Sequence, residues 1–193
     1  MRGLGEGFGG GVGMRRALVL GLGNRNLGDD AVGSCLAEAL AARAPEGVEV
    51  KDGDDMGLGL LGFLEGYDLV IFVDASPDVE DVEAFLIEAE KAELEEAREM
   101  VQDSHKAGPV ALAVLAKKSG LFQGKAYFVA FKPESLCFMC KPSEASLERA
   151  LKAAELVNKL LQKEGFPQFD LEGLRLDLIR TCEKSSVEAS WAV

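Results

Sequence analysis

The chain of 193 residues is long enough for one ordinary domain, and 48% hydrophobic with 28% charged residues is typical of a globular protein. No apolar run reaches the roughly 20 residues that a membrane-spanning helix needs, so we expect no membrane partner. The net charge of −12 disfavours nucleic acids and anionic membrane surfaces, but it permits a cation or a basic segment of another protein.

Short apolar strands alternate with helix-length segments, which predicts βαβ units. The predicted strands are Ala17–Gly21, Val48–Lys51, Asp68–Asp74, the edge strand Val82–Glu88, and Lys125–Phe131. The predicted helices are Asp30–Ala42, Met56–Leu64, the charged segment Glu90–Met100, Val110–Lys117 and Ser143–Glu164. We therefore expect a three-layer α/β fold, in which a mostly parallel twisted sheet carries helices on both faces.

One domain accounts for most of the chain, and each end extends beyond it. Residues 1–13 are too rich in glycine for a secretory signal and are predicted to be a flexible extension, which favours a cytoplasmic protein. Residues 14–164 are predicted to form the single α/β domain. Residues 165–193 are predicted to be a C-terminal extension, with one amphipathic piece, LEGLRLDLI, and a polar tail.

Four cysteines, Cys35, Cys137, Cys140 and Cys182, occur without a secretory signal. This combination predicts free thiols and not a disulfide framework. Cys137 and Cys140 have the C-x-x-C spacing, but a structural zinc site would need a second such pair. Packed or loop thiols are therefore favoured over a metal or redox role.

The segment GLGNRNLGDD, residues 21–30, follows the first strand and resembles a phosphate-binding turn. A dinucleotide site would need a third glycine where this chain has Asn26. Asp29 and Asp30 also oppose phosphate, because carboxylates at a helix start satisfy the free N–H groups and repel an anion. Asp29 is predicted to be the helix N-cap, and Asp30 to point into the crevice above the strand.

Two further side chains can join Asp30. Asp74 ends the most apolar strand, where a ligand-facing carboxylate and a helix cap or turn are equally favoured. His105 is the only histidine, ahead of a helix start that favours neutral imidazole, although a solvated loop histidine is the alternative. If the three converge, their oxygen and nitrogen atoms suit nickel, zinc or manganese with open coordination positions. Asp52, Asp54 and Asp55 would add negative potential at this edge.

The motifs LGLGNRNLGDDAVG, IFVDA and SHKAGPVAL, followed by KPESL and a long helix, resemble the hydrogenase maturation endopeptidases from about Arg15 to Glu164. The resemblance implies a protease that recognises nickel already inserted in the precursor of a nickel-iron hydrogenase large subunit and removes its C-terminal extension. Nickel would be substrate-borne and not permanently bound. The metal-binding positions of the family carry over onto Asp30, Asp74 and His105.

The chain departs from this family in several places. It has DGDDMG where the family commonly has a glycine–threonine pair, so the expected substrate contact at Asp52 rests on a changed motif. Residues 90–100 look like an insertion, and both ends exceed what the family needs. The C-terminal tail could fold over the cleft, and removal of Leu174–Val193 is then expected to raise metal affinity or the processing rate.

The sequence contains no protease nucleophile constellation and no H-E-x-x-H zinc motif, which fits a metal that arrives with the substrate. Asp74 is the best candidate for a general base, and the enzyme would then be an aspartate-dependent protease. Two alternatives are a nickel-binding chaperone or sensor without proteolytic activity, and a nucleotide-binding α/β module.

Overall fold

The computed structural model describes residues 14–54, 56–89 and 108–190, with side chains as far as residue 183. The strands are β1 (Ala17–Gly21), β2 (Val48–Asp52), β3 (Leu69–Ala75), β4 (Val82–Leu86) and β5 (Lys125–Phe131). The helices are α1 (Val32–Ala41), α2 (Pro109–Lys118), α3 (Glu144–Lys163) and α4 (Leu174–Ser190), with two 3₁₀ helices at Gly28–Ala31 and Gly57–Leu64. The described helices include no segment with the length and apolar character needed to traverse a lipid bilayer.

The sheet has the strand order β2-β1-β3-β5-β4, and every pair is parallel except β4 with β5. This confirms the predicted, mostly parallel sheet and its edge strand. The predicted helices over 30–42 and 56–64 are partly or wholly 3₁₀ helices. Glycine explains the second difference, because Gly57–Leu64 contains three glycines, which are poor formers of α-helix. The predicted helix over 90–100 lies outside the described residues.

Strand residues alternate between two buried cores, one on each face of the sheet. In β1, Ala17 and Val19 face the core formed with α1, α3 and α4, whereas Leu18 and Leu20 face the core formed with α2 and Gly57–Leu64. All four side chains are buried, as expected of a strand covered on both faces. The structure therefore confirms the three-layer α/β architecture.

The C-terminal segment packs beside α1. Leu174 and Leu178 of α4 are fully buried in the core that contains the residues of α1. The hydroxyl of Thr181 donates to the carbonyl oxygen of Cys35 at 3.0 Å, which fixes α4 against α1. Residues 174–183 thus pack against the helical layer that contains α1. The expectation that the tail folds over the cleft stays a prediction.

The strand order reverses between β1 and β3. From β1 the chain passes to β2 on one side, and from β3 it passes to β4 and then β5 on the other. In parallel α/β sheets a crevice opens at the carboxyl ends of the strands on either side of such a switch point, and ligands bind there. The carboxyl ends of β1 and β3 are therefore where a functional site is expected.

Candidate active site at the ends of β1 and β3

Two glycines allow the segment after β1 to fold tightly onto the strand ends. Gly23 has φ +135°, and a Cβ there would lie 1.7 Å from the carbonyl oxygen of Asp30. A Cβ at Gly33 would lie 2.1 Å from the carbonyl oxygen of Leu22 and 2.8 Å from that of Val73. Because neither glycine has a side chain, the start of α1 can lie directly against the ends of both β1 and β3.

This packing brings Asp30 and Asp74 to the same edge of the sheet. Gly21 at the end of β1 is in register with Val73 of β3, and Asp74 follows immediately. Both carboxylates are half-buried and are oriented by the backbone: Asp30 Oδ2 accepts the Asn24 N–H at 2.8 Å, and Asp74 Oδ1 accepts the Ala75 N–H at 2.8 Å. The predicted common edge is confirmed, whereas their role as metal ligands stays a prediction.

The third predicted ligand, His105, lies outside the described residues. Among residues 14–54, 56–89 and 108–183, no group of three or more His, Cys, Asp or Glu side chains is arranged to hold a metal ion. The metal site of Asp30, Asp74 and His105 therefore remains a prediction.

Asp29 is not the helix N-cap that the sequence predicts. The 3₁₀ helix is preceded by Leu27, and no side chain caps either that helix or α1. Asp29 is instead only 1% exposed, and its carboxylate accepts hydrogen bonds from the backbone N–H groups of Glu134, Ser135 and Ser143 and from the Ser143 hydroxyl. Asp29 thus tethers both ends of the loop that follows β5.

These contacts keep Asp29 ionised. Burial raises the pKa of the Asp29 carboxyl, but the hydrogen bonds from Ser143, Ser135 and Glu134 outweigh burial and hold its pKa below the ordinary value. A buried carboxylate with this many donors has a structural role. The neighbouring carboxylate, Asp30, is half-buried at the strand ends.

Asp52, the predicted substrate contact, pairs with an arginine of the glycine-rich segment. Its Oδ2 lies 2.5 Å from Nη2 and 3.2 Å from Nε of Arg25, which also contacts Glu38 at 3.1 Å. Burial lowers the pKa of Arg25, but the pairing with Asp52 outweighs burial and raises it. Asp52 therefore positions the segment that carries Asp30, and a direct contact with substrate stays a prediction.

The cysteines of CFMC form a disulfide, so the prediction of free thiols is wrong for Cys137 and Cys140. Their Cα atoms are 5.6 Å apart, a separation that a disulfide spans, because the chain turns at Met139 with φ +59°. The prediction is confirmed for Cys35 and Cys182, which are buried and free. Their mutual hydrogen bond, together with burial, raises the pKa of the Cys182 thiol.

Sequence reasoning missed Arg25 and the loop from residue 134 to residue 143. Arg25 is a cation between several predicted carboxylates, and this charge pattern was a signal that it forms an ion pair. The loop gave no comparable signal, since its contacts with Asp29 join residues more than 100 positions apart.

No family model matches the chain. The hydrogenase 2 maturation protease of Escherichia coli (strain K12) is 31% identical to it over 164 residues, which cover 82% of this chain and 98% of that protein. The chain belongs to the hydrogenase maturation protease family. The resemblance of its motifs to that family is therefore confirmed.

Solved structures of family members have the same fold. The hydrogenase maturating endopeptidase HybD from E. coli is 29% identical and superimposes with a TM-score of 0.63 over 78% of this chain and 94% of its own. The NiFe hydrogenase maturation protease HycI from Thermococcus kodakarensis KOD1 is 26% identical, with a TM-score of 0.59 over 78% and 95% of the two chains. This member of the family is accordingly an endopeptidase, and the comparisons do not support a chaperone without proteolytic activity.

Proposed function

We propose that this maturation protease removes the C-terminal extension of a nickel-loaded hydrogenase large-subunit precursor. Nickel bound in the precursor is then part of the substrate, and Asp30, Asp74 and His105 contact it during recognition. Membership in the family supports the reaction class, because the relatives are named as maturation proteases of hydrogenases. Its action in the cytoplasm stays a prediction.

The observation that carries this proposal is the placement of Asp30 and Asp74. Asp30 follows β1, Asp74 is the penultimate residue of the adjacent parallel strand β3, and each has one oxygen oriented by a backbone N–H. Carboxylate oxygens beside an imidazole nitrogen suit a borderline divalent ion such as nickel. Two oriented carboxylates at one crevice therefore match a substrate whose metal has open coordination positions.

Chain connectivity supports the inclusion of His105. It precedes Gly108, the residue before α2, by three residues, and three residues of chain span at most about 11 Å. The helix α2 ends at Lys118, and β5 starts after a short connection at Lys125, so α2 runs antiparallel to the strand. Its start therefore faces the carboxyl edge of the sheet, where Asp30 and Asp74 lie.

The side chains would act in hydrolysis by positioning and by proton transfer. A divalent metal held in the precursor polarises a peptide carbonyl or lowers the pKa of a bound water. Asp30 and Asp74 would orient that metal and so bring the scissile peptide into the crevice. Asp74 is the proposed general base, which accepts the proton of the attacking water, and this makes the enzyme an aspartate-dependent protease.

The test is cleavage of a purified precursor in its nickel-loaded and nickel-free forms, followed by intact-mass spectrometry. We expect loss of a C-terminal peptide from the nickel-loaded form alone. Asp30→Asn, Asp74→Asn and His105→Ala should each reduce cleavage by at least about a hundredfold, a loss that corresponds to about 2.7 kcal/mol of transition-state stabilisation.

Asp170→Asn is the matched control, since Asp170 is an exposed aspartate on the segment before α4. Only its backbone carbonyl oxygen contacts Arg43, which follows α1. This variant should cleave like the wild type. Circular dichroism must show that all variants are folded. Full activity in the three site variants would refute the assigned site, and binding of the precursor without shortening would refute the proteolytic function.

A further inference from the structure

A loop beside the candidate site exposes several large apolar side chains. We call residues 136–140 the apolar loop; Leu136 is 52%, Phe138 73% and Met139 44% exposed. Single exposed apolar side chains are common on protein surfaces, but a cluster within four positions is typical of a surface that binds a partner. The apolar loop is therefore a candidate for an interaction surface.

The apolar loop is held in one conformation. The disulfide between Cys137 and Cys140 closes it, and the Met139 N–H donates to the carbonyl oxygen of Asn26 at 2.7 Å. Met139 also has a left-handed backbone with φ +59°, a conformation that persists in a non-glycine residue only where its surroundings impose it. Phe138 and Met139 therefore lie on a preorganised turn, which lowers the entropic cost of binding.

Hydrogen bonds connect the apolar loop to the segment that carries the proposed metal ligand Asp30. The Asn26 carbonyl oxygen accepts the Met139 N–H, and the Asn26 N–H donates to Asn24 Oδ1 at 2.9 Å. The Asn24 N–H in turn donates to Asp30 Oδ2 at 2.8 Å. A Cβ at Gly28 would lie 2.9 Å from the carbonyl oxygen of Ser135, so the two segments pack closely. The apolar loop therefore packs on the segment that carries Asp30.

We propose that the apolar loop binds an apolar segment of the hydrogenase precursor, close to the peptide that is cut. The inference rests on the proposed function, because it takes the occupant of the neighbouring crevice to be that precursor. Leu136, Phe138 and Met139 would anchor the segment, while Asp30 and Asp74 engage the metal-bearing part of the same substrate.

The size and charge of this surface oppose a second copy of the chain as the occupant. A stable dimer buries about 800 Å² on each copy, whereas even an aromatic side chain contributes only about 150–250 Å². The three side chains are already partly buried, so they fall short of that area. The chain also has a net charge of −12, and the apolar loop adjoins the acidic crevice, so two copies would repel each other. A short apolar segment of a substrate fits both constraints.

The test compares the wild type with a Leu136→Ser/Phe138→Ser double variant, using the nickel-loaded precursor as substrate. We expect KM to rise about tenfold or more, since two apolar anchors are lost, while kcat stays unchanged because the carboxylates are intact. Leu176→Ser is the matched control, because Leu176 of α4 is equally exposed but lies on another surface, and its KM should not change.

Binding of the same precursor is also measured by sedimentation. For this measurement the wild type and the double variant both carry Asp74→Asn, which prevents cleavage. If the wild type does not cleave, the proposed function fails, and the binding comparison still decides the role of the apolar loop. Equal KM and equal binding in wild type and double variant would overturn the inference. Dimerisation of the wild type that the double variant lacks would overturn it as well, in favour of self-association.

Discussion

The carboxylate of Asp29 holds Ser143 by two hydrogen bonds: Oδ1 accepts the backbone N–H at 2.6 Å, and Oδ2 accepts the hydroxyl at 2.9 Å. The Ser143 hydroxyl oxygen in turn accepts the N–H of Ser146 and so caps α3. One buried carboxylate after β1 therefore fixes the start of the longest described helix, together with the loop that precedes it.

Asp29→Asn is expected to destabilise the protein by about 2–3 kcal/mol at neutral pH, because the amide leaves buried donors without an acceptor. The pKa of Asp29 is depressed in the folded state, so its stabilising contribution is present above the unfolded value of about 3.9 and is lost as the pH falls through the folded value. The difference between variant and wild type should therefore shrink below about pH 4. Urea unfolding at several pH values measures it.

Asp78→Asn is the control for this experiment, since Asp78 is an exposed aspartate in the turn after β3. It should leave the free energy of unfolding within about 0.5 kcal/mol of the wild type at every pH. An Asp29→Asn protein as stable as the wild type at pH 7 would contradict the role of Asp29 as a tether.

Gly33→Ala is expected to damage both stability and cleavage. The added Cβ would lie 2.1 Å from the carbonyl oxygen of Leu22 and 2.8 Å from that of Val73, so α1 must move away from the ends of β1 and β3. Such overpacking costs about 1–3 kcal/mol or more, and the shift would displace Asp30 from Asp74. Thermal unfolding and the rate of precursor cleavage measure the two effects.

Gly62→Ala is the matched control, since no heavy atom of the described residues lies within 4 Å of a Cβ at Gly62. Alanine there should be neutral or slightly stabilising, because it reduces the freedom of the unfolded chain. If the two alanine variants behaved alike, the close approach at Gly33 would not be what positions the site.

The architecture was accessible from the sequence because burial follows local periodicity. Apolar runs covered on both faces predicted β1 and β5 to the residue, and a carboxylate at the end of such a run predicted the common edge of Asp30 and Asp74. These features depend on neighbours in the chain or on the general geometry of parallel sheets.

Features that depend on distant partners were not accessible. Asp29 was assigned as a cap because aspartate at a helix start is a common cap, but its actual partner Ser143 is 114 residues away. The CFMC spacing permits either thiols or a bridge, and the turn at Met139 that joins the sulfurs has no glycine to indicate it. The segment LEGLRLDLI was recognised only as amphipathic, and neither the helix α4 nor its partner α1 was predicted from it.

Leu178→Ala is expected to lower the free energy of unfolding by about 2–5 kcal/mol. The Leu178 side chain is 0% exposed, because α4 buries it in the core that it shares with α1 and α3. Leu176→Ala, two positions earlier and 61% exposed, should change it by less than about 0.5 kcal/mol. Removal of residues 174–193 should accordingly unfold or aggregate the protein. A truncated chain that stays folded and cleaves faster would instead support a tail that covers the cleft.

Reduction of the Cys137–Cys140 disulfide is expected to weaken substrate binding more than it weakens the fold. The bridge closes a loop of sequence separation 3, so its loss should cost about 2 kcal/mol of stability or less. Phe138 and Met139 would, however, have to be ordered on binding, at about 0.5–1.5 kcal/mol for each side chain, which raises KM by about fivefold or more. The measurement is KM for the nickel-loaded precursor before and after dithiothreitol.

A Cys137→Ser/Cys140→Ser variant isolates this bond from the other thiols in the reaction. Its KM should match that of the reduced wild type and should not respond to dithiothreitol, because the variant has no bond to break. If dithiothreitol raised KM equally in variant and wild type, the responsive groups would lie elsewhere, for example in the cysteines of the precursor. If dithiothreitol changed the KM of neither protein, the disulfide would not be what preorganises Phe138 and Met139 for substrate binding.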